Sequence, residues 1–235
     1  MSYKYVLHGD LSSKNKFNCR VEDGNAEDLR KNYISDQFLY HPLLNSFSSY
    51  PLCYYIQVYS DTSIGISFYL RNGVYQGDNI GKNLDNSIAQ VQYHIDFGNE
   101  DQEDDEVIIK WISVKTESRG KGLAKYLLSL ALINSHIINP SIKNTKLDDD
   151  SDAYANGIDD INERRKKQSR NLYCRMGYKY EDPSGGPEMI GNIKTMISDI
   201  ESRLKKRKAA TKKRKRSSRK RHSRRRRSSR RRTKN

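Results

Sequence analysis

A chain of 235 residues has room for one ordinary domain that buries its own core without disulfide or metal staples. Its three cysteines, Cys19, Cys53 and Cys174, make no CxxC pair and no Cys/His cluster, which excludes a disulfide framework and a zinc module and fits a reducing compartment. The formal charge of +15 is local, because Arg203 to Asn235 hold 21 of the 44 basic residues and no acid, leaving 23 basic and 29 acidic residues, net −6, in Met1 to Ser202.

The start, MSYKYVLHGD, has no apolar signal core, and the longest near-continuous apolar run, Tyr126 to Ile133, falls far short of a membrane span. A soluble, intracellular protein is expected. Tyr3 to Leu7 reads as a short strand, and Asn25 to Phe38 as an amphipathic helix, from the spacing of Leu29, Tyr33, Ile34 and Phe38, ended by His41-Pro42. Leu52 to Tyr59 and Ser63 to Leu70 form a hairpin about Ser60-Asp61-Thr62, and Ile88 to Phe97 alternates as a further strand. Gly98 to Glu106 is an acidic loop: a solvated turn in the simpler reading, and in the functional one a lure for cationic amines.

Val107 to Val114 is β-branched, aromatic and apolar on both faces, as a buried central strand should be. A polar turn follows over Lys115 to Arg119, then Gly120 and Gly122, then Leu123, Leu127, Leu128, Leu130 and Ala131 at helical spacing. Strand, glycine loop and helix in that order present unpaired backbone N–H groups to an anion, and Arg119 and Lys121 add positive charge. A Walker loop is excluded because no Gly-Lys-Ser/Thr ending stands at the required spacing. A dinucleotide fingerprint is excluded because Lys125 stands where Gly or Ala must let the helix close on the strand.

The helix ends near His136 before Asn139-Pro140, and Asn144 to Leu147 supplies a short strand with Ile142 and Leu147 as its aliphatic residues. Asp148 to Lys167 is a polar insertion, and its aspartates lack the spacing of a calcium loop, so no metal is expected. Arg164 to Met176 reads as a helix stopped by Gly177. Tyr178 to Tyr180 begins a strand that meets Pro183 to Pro187 at once, so little sheet is expected beyond it, and Asn192 to Leu204 reads as an added helix. From Arg203 onwards the chain holds almost nothing apolar and is expected to be a disordered basic tail. Its dense basic runs suit DNA or RNA phosphates, and without aromatics to stack on bases the binding would be sequence-independent. A nuclear-import signal over Lys205 to Arg216 is the blander use, and serines beside the arginines, such as Ser217 and Ser218, would let phosphorylation cancel charge.

Arg119-Gly120-Lys121-Gly122-Leu123-Ala124, with its preceding strand and following helix, resembles the Q/R-x-x-G-x-G/A signature of the GNAT N-acetyltransferase superfamily. Asn171 to Tyr178, NLYCRMGY, resembles the Leu-Tyr-x-x-x-Gly-Phe/Tyr segment that follows later in that family. The resemblance spans Val107 to Tyr180 and implies an α/β (α+β) fold with a mixed, mostly antiparallel sheet flanked by helices. It implies acetyl-CoA as cofactor, its pantetheine on the backbone of Ile112, Ser113 and Val114 and its pyrophosphate on Arg119, Gly120, Lys121, Gly122, Leu123 and Ala124. Tyr173 matches the tyrosine that protonates the departing thiolate, and Cys174 beside it is read as structural.

One departure concerns a cofactor-holding asparagine of the family, replaced here by Lys166, with Ser169 in the place of a small alanine. No single general base stands out: Asp96, Glu100, Asp148 or a water chain would serve. The acceptor implied is a primary amine, as a protein lysine, an N-terminus or a polyamine. The alternative is a nucleic-acid packaging or scaffold protein whose domain of this type is inactive. No membrane partner is expected, and the oligomeric state is left open.

Overall fold

The computed structural model describes residues 5–11, 20–21, 32–44, 50–60, 63–71, 86–98, 105–149, 171–181, 187–207 and 209–211. Two compact units divide the chain, Met1–Ile197 and Ser198–Asn235. The first holds one mixed sheet of nine strands among the described residues. These are β1 (Tyr5–Asp10), β2 (Arg20–Val21), β3 (Leu52–Ser60), β4 (Ser63–Arg71), β5 (Ser87–Asp96), β6 (Glu106–Val114), β7 (Asn144–Asp148), β8 (Lys179–Tyr180) and β9 (Glu188–Asn192). Their order across the sheet is β2-β1-β3-β4-β5-β6-β7-β9-β8. Every neighbouring pair is antiparallel except β6 with β7. That exception follows from the connection, since parallel strands need a long crossover, and here a helix provides it.

That helix, α2 (Leu123–Ile138), follows α1 (Asp36–Leu39) in the chain and packs on β5 and β6. Tyr126 to Ser135 are all buried, so the helix lies within the protein on every side, as its nearly continuous apolar run requires. The two serines of this stretch are satisfied locally: Ser129 and Ser135 donate to the carbonyls of Lys125 and Ala131 at 2.7 and 2.8 Å. Asn134 Nδ2 donates to the Tyr33 carbonyl at 3.1 Å and to Tyr93 Oη at 2.9 Å, tying the segment before α1 to α2 and β5. On β5 the inward residues Val91, Tyr93 and Ile95 alternate with half-buried ones, the period expected of a strand with one covered face.

The meander forms as its pattern predicts, with β3 and β4 one residue longer than expected at their C-terminal ends and β5 shifted by one residue at both ends. The helix expected over Asn25 to Phe38 differs. Residues 25–31 lie outside the described residues, 32–33 are helical, and the chain breaks at Ile34-Ser35 before α1. Ser35 Oγ accepts from the Phe38 N–H at 3.3 Å, so a serine cap restarts the helix, while Ile34 and Phe38 still bury as their spacing implies.

The last strands are fuller than expected. β9 pairs with β7 over five residues and with β8 beyond it, and Met189 and Gly191 face inward, with Ile190 half-buried between them and Glu188 and Asn192 exposed at the ends. Asn192 then caps the added helix, α4 (residues 193–207), by accepting from Thr195 N and Oγ1 at 3.0 and 2.9 Å. Residues 209–211 are helical as well, so helix continues past Arg203 into the basic segment; residues 208 and 212–235 lie outside the described residues. So do Glu100 and most of the 148–167 insertion.

Candidate active site

Two strands that run parallel and then part define the site. β6 and β7 pair from Glu106–Asn144 to Ile109–Leu147, and β7 ends one residue later, while β6 continues through Lys110 to Val114. The other edge of β6 stays with β5 as far as Val114–Ala89. At the parting β6 carries a bulge: Tyr93 pairs with Ile109 and Gln92 with Trp111, which leaves Lys110 over. An extra residue on one strand bends it and sharpens its twist, and this turns the second half of β6 away from β7. The consequence corrects the expectation of a strand buried throughout. Only Val107 and Ile109 are buried, Lys110 is exposed, Trp111 is 55% exposed, and Ile112, Ser113 and Val114 are half-buried along the gap.

β6 leads into the glycine loop through a turn held by Lys115 N–H to the Ile88 carbonyl at 2.9 Å and a 3-10 turn over Thr116–Ser118. Arg119 Nε donates back to the Val114 carbonyl at 3.3 Å, placing its exposed guanidinium at the end of the gap. Gly120 and Gly122 have φ of +77° and +80°, the left-handed region that side chains disfavour, and a Cβ built on either meets nothing within 4 Å. Gly122 is also the N-cap of α2, without a side-chain cap, so the first N–H groups of the helix, those of Leu123 and Ala124, have no intrahelical acceptor. An open concavity of backbone N–H groups beside Arg119 and Lys121 fits a diphosphate on physical grounds.

Tyr173 sits on α3 (Leu172–Met176), half-buried, its ring edge-on to Tyr178 at 6.3 Å between centroids. Tyr178 is buried, and its phenol hydrogen-bonds Thr145 Oγ1 of β7 at 2.9 Å. The two motifs therefore flank the strands that part: the loop continues β6, and Tyr173 is braced against β7 through Tyr178. Of the helix expected over Arg164 to Met176, the described part is α3, Leu172–Met176. Asn171 is extended, and its side chain accepts from the Cys174 N–H at 2.7 Å as an N-cap; residues 164–170 lie outside the described residues.

An anchor that the sequence reading passed over fixes this helix. Asn171 Nδ2 donates to Asp149 Oδ2 at 2.8 Å and to Tyr180 Oη at 3.2 Å, and the Tyr180 phenol donates to the same Asp149 oxygen. Asp149 is fully buried at the end of β7, so one of the three aspartates in the run is a structural acceptor. The signal was present in the sequence as an asparagine three residues ahead of Cys174, with Gly177 closing the helix at φ +110°. Cys174 is half-buried, and burial first, then the nearby Asp149 carboxylate, pushes its thiol up from its ordinary range, as suits a structural cysteine.

Of the base candidates, Asp96 lies opposite Glu106 at the far end of β6, about 26 Å of strand from the loop, and accepts from Ser63 Oγ at 2.6 Å. Asp148 is brought to the parting. There a cavity of about 250 Å³ opens, with Ile109, Leu147 and Met189 among its lining and Lys110, Lys146, Asp148, Glu181 and Glu188 around them. Among the described residues no group of three His, Cys, Asp or Glu is placed to hold a metal ion, and no helix is long and apolar enough to cross a membrane.

No protein-family model matches the chain, and no curated protein does. Among solved structures it is similar to a bacterial toxin at 16% identity, covering 58% of this chain and 72% of that one with a TM-score of 0.39. It is similar to the NatC complex bound to a Gag peptide and CoA at 15% identity, covering 54% and 70%, TM-score 0.35. It is similar also to Arabidopsis thaliana NAA60 in complex with acetyl-CoA at 17% identity, covering 57% and 77%, TM-score 0.30. Likeness at this level assigns nothing to the chain, whose site is read from its own residues.

Proposed function

We propose that this chain is a GNAT-type N-acetyltransferase that uses acetyl-CoA to acetylate a primary amine and carries a basic tail for DNA or RNA. The observation that carries the reading is the parting of β6 from β7 after Ile109, with the freed strand running straight into a loop of two left-handed glycines at the start of α2. Backbone along Ile112 to Val114 is available to pair with an amide-bearing arm, and the loop Arg119 to Ala124 suits the diphosphate at its end. Acetyl-CoA would supply the thioester. The protein's part is to hold the amine against it, let a proton leave the nitrogen, and return one to the sulfur. Tyr173 is the group assigned to that return, because a phenol of ordinary pKa about 10 is matched to a leaving thiol.

The reading of an inactive scaffold drew on the lost asparagine and on weak final strands; the five-residue pairing of β9 with β7 weakens the second ground, and Lys166 lies outside the described residues. The tail's role rests on sequence: 21 basic residues and no acid between Arg203 and Asn235. The test is a thermal melt of the full chain with acetyl-CoA. A ligand bound only by the folded state raises stability by about 2.7 kcal/mol at 100 times its Kd, so a shift of several degrees is expected. No shift at millimolar acetyl-CoA would overturn the proposal.

A further inference from the structure

We infer that the cavity where β6 and β7 part is the acceptor pocket, and that it selects an unbranched primary alkylammonium, as at the end of a lysine side chain or a polyamine, over the α-amine of a peptide N-terminus. The inference rests on the acetyltransferase reading and names the amine that reading leaves open.

The lining has two parts of different chemistry. Ile108, half-buried on β6, with the edges of the buried Ile109, Leu147 and Met189, gives it a small apolar surface, while Asp148, Glu181 and Glu188 put carboxylates around it. A methylene stem loses nothing by lying on apolar atoms, and its ammonium finds carboxylates at the end. An N-terminal α-amine is attached to a branched carbon that bears both a side chain and a peptide carbonyl, a shape that a cavity sized for a single unbranched chain accommodates less well. The volume, about 250 Å³, is below the usual range for drug-sized ligands and suits a single chain.

The field in this place already favours an ammonium. Lys146 is bonded to Glu106 at 2.8 Å, and its amine is held above the ordinary range first by that hydrogen bond, which burial opposes as the next largest effect, and then by the charges of Glu106, Glu181 and Glu188. With Lys146 taken by Glu106, the groups that face the cavity are Lys110 from β6, Asp148 from β7, Glu188 from β9 and Glu181 after β8, an excess of negative charge.

In the reaction the ammonium gives one proton to solvent, and Asp148 at the cavity mouth is placed to accept it on the way. The neutral nitrogen then forms the C–N bond as the C–S bond breaks. The nitrogen loses its second proton to solvent as the amide forms, the sulfur gains one from Tyr173, and solvent returns a proton to the tyrosinate, so that one proton is released in all. The carboxylates that attract the amine also raise its pKa, as they raise that of Lys146, so the rate should climb towards alkaline pH.

The test uses the full chain, acetyl-CoA and three acceptors: a peptide with a blocked N-terminus and one lysine, spermidine, and a lysine-free peptide with a free N-terminus, with products read by mass spectrometry. Acetylation of the lysine peptide, of spermidine or of both, at least tenfold faster than of the free N-terminus, is expected, and the first two arms tell the sources apart. In Glu188→Gln, an exposed position, KM for the amine should rise about two- to fivefold, the size of an exposed charge pair. The rising limb of kcat should move to lower pH, and acetyl-CoA affinity should stay the same. Preference for the N-terminal peptide overturns the inference, as does a Glu188→Gln enzyme with weaker acetyl-CoA binding and an unchanged amine KM, which would give the cavity to the cofactor. Acetyl-CoA binding without turnover of any of the three overturns it too. A chain that binds no acetyl-CoA fails at the earlier proposal, and this one falls with it.

Discussion

Substitutions at two single residues test the proposed site. Gly122 has φ +80°, and a Cβ there meets no protein atom, so a substitution costs backbone conformation rather than a clash and places carbon in the open space offered to an anion. Gly122→Ala should lose about 1–2 kcal/mol of stability in denaturant titration, and Gly122→Val more, because a branched side chain tolerates that conformation worse. Gly122→Val should also abolish the acetyl-CoA thermal shift, and an unchanged shift would remove the loop from the cofactor site. For Tyr173→Phe the expectation is different in kind. The ring and its edge-on contact with Tyr178 remain, so stability and acetyl-CoA affinity should hold while kcat falls about 100- to 10,000-fold, the usual cost of losing a general acid. Unchanged turnover would make Tyr173 a packing residue. Both positions could be singled out from sequence because glycine spacing and an aromatic in a motif are properties of residue type. The bulge at Lys110 was not legible, since nothing in EVIIKWISV marks which residue the partner strand will skip.

Elements were read well where a long pattern specified them and poorly where a short one depended on neighbours. The meander and α2 repeat their period over nine to sixteen residues and formed as expected. β9 has only Met189 and Gly191 facing inward, and its identity comes from pairing with β7, which no local pattern announces. α3 is the extreme case. Five residues cannot sustain a helix alone, so Leu172–Met176 exists because Asn171 caps it and Asp149 and Tyr180 hold Asn171. Asn171→Ala should therefore cost more than the ~1 kcal/mol of an ordinary cap, because buried Asp149 loses a donor as well. Since α3 carries Tyr173, kcat should fall in the same variant with KM for the amine little changed. A loss of stability with kcat intact, measured by chemical melt and steady-state rates, would show that the anchor holds the fold without positioning the tyrosine.

On the scale of the whole molecule the organising fact is charge: net −6 over Met1 to Ser202 and 21 basic residues without an acid after it. Opposite charge on one chain raises the local concentration of tail lysines around an acidic body, and a pocket selective for alkylammonium would accept them. Lys205 and Lys206 are exposed on the described part of the helix, and Lys208, Lys212, Lys213 and Lys215 follow in the sequence. These lysines are expected to be acetylated when the purified chain is incubated with acetyl-CoA, while the arginines, which have no amine of this kind, keep the tail cationic. DNA competes for the same charges, so adding it should suppress the self-reaction. Tail-dependent DNA binding should itself weaken about a thousandfold or more between 50 and 200 mM salt if six or more phosphates are contacted. Mass spectrometry of the tail with and without DNA measures the first, and a salt titration of the full chain against a variant ending at Arg207 measures the second. Equal DNA binding by both chains would remove the tail as a tether. Unmodified tail lysines, under conditions where spermidine or a lysine peptide is acetylated, would show that the body's acceptor site does not admit its own chain.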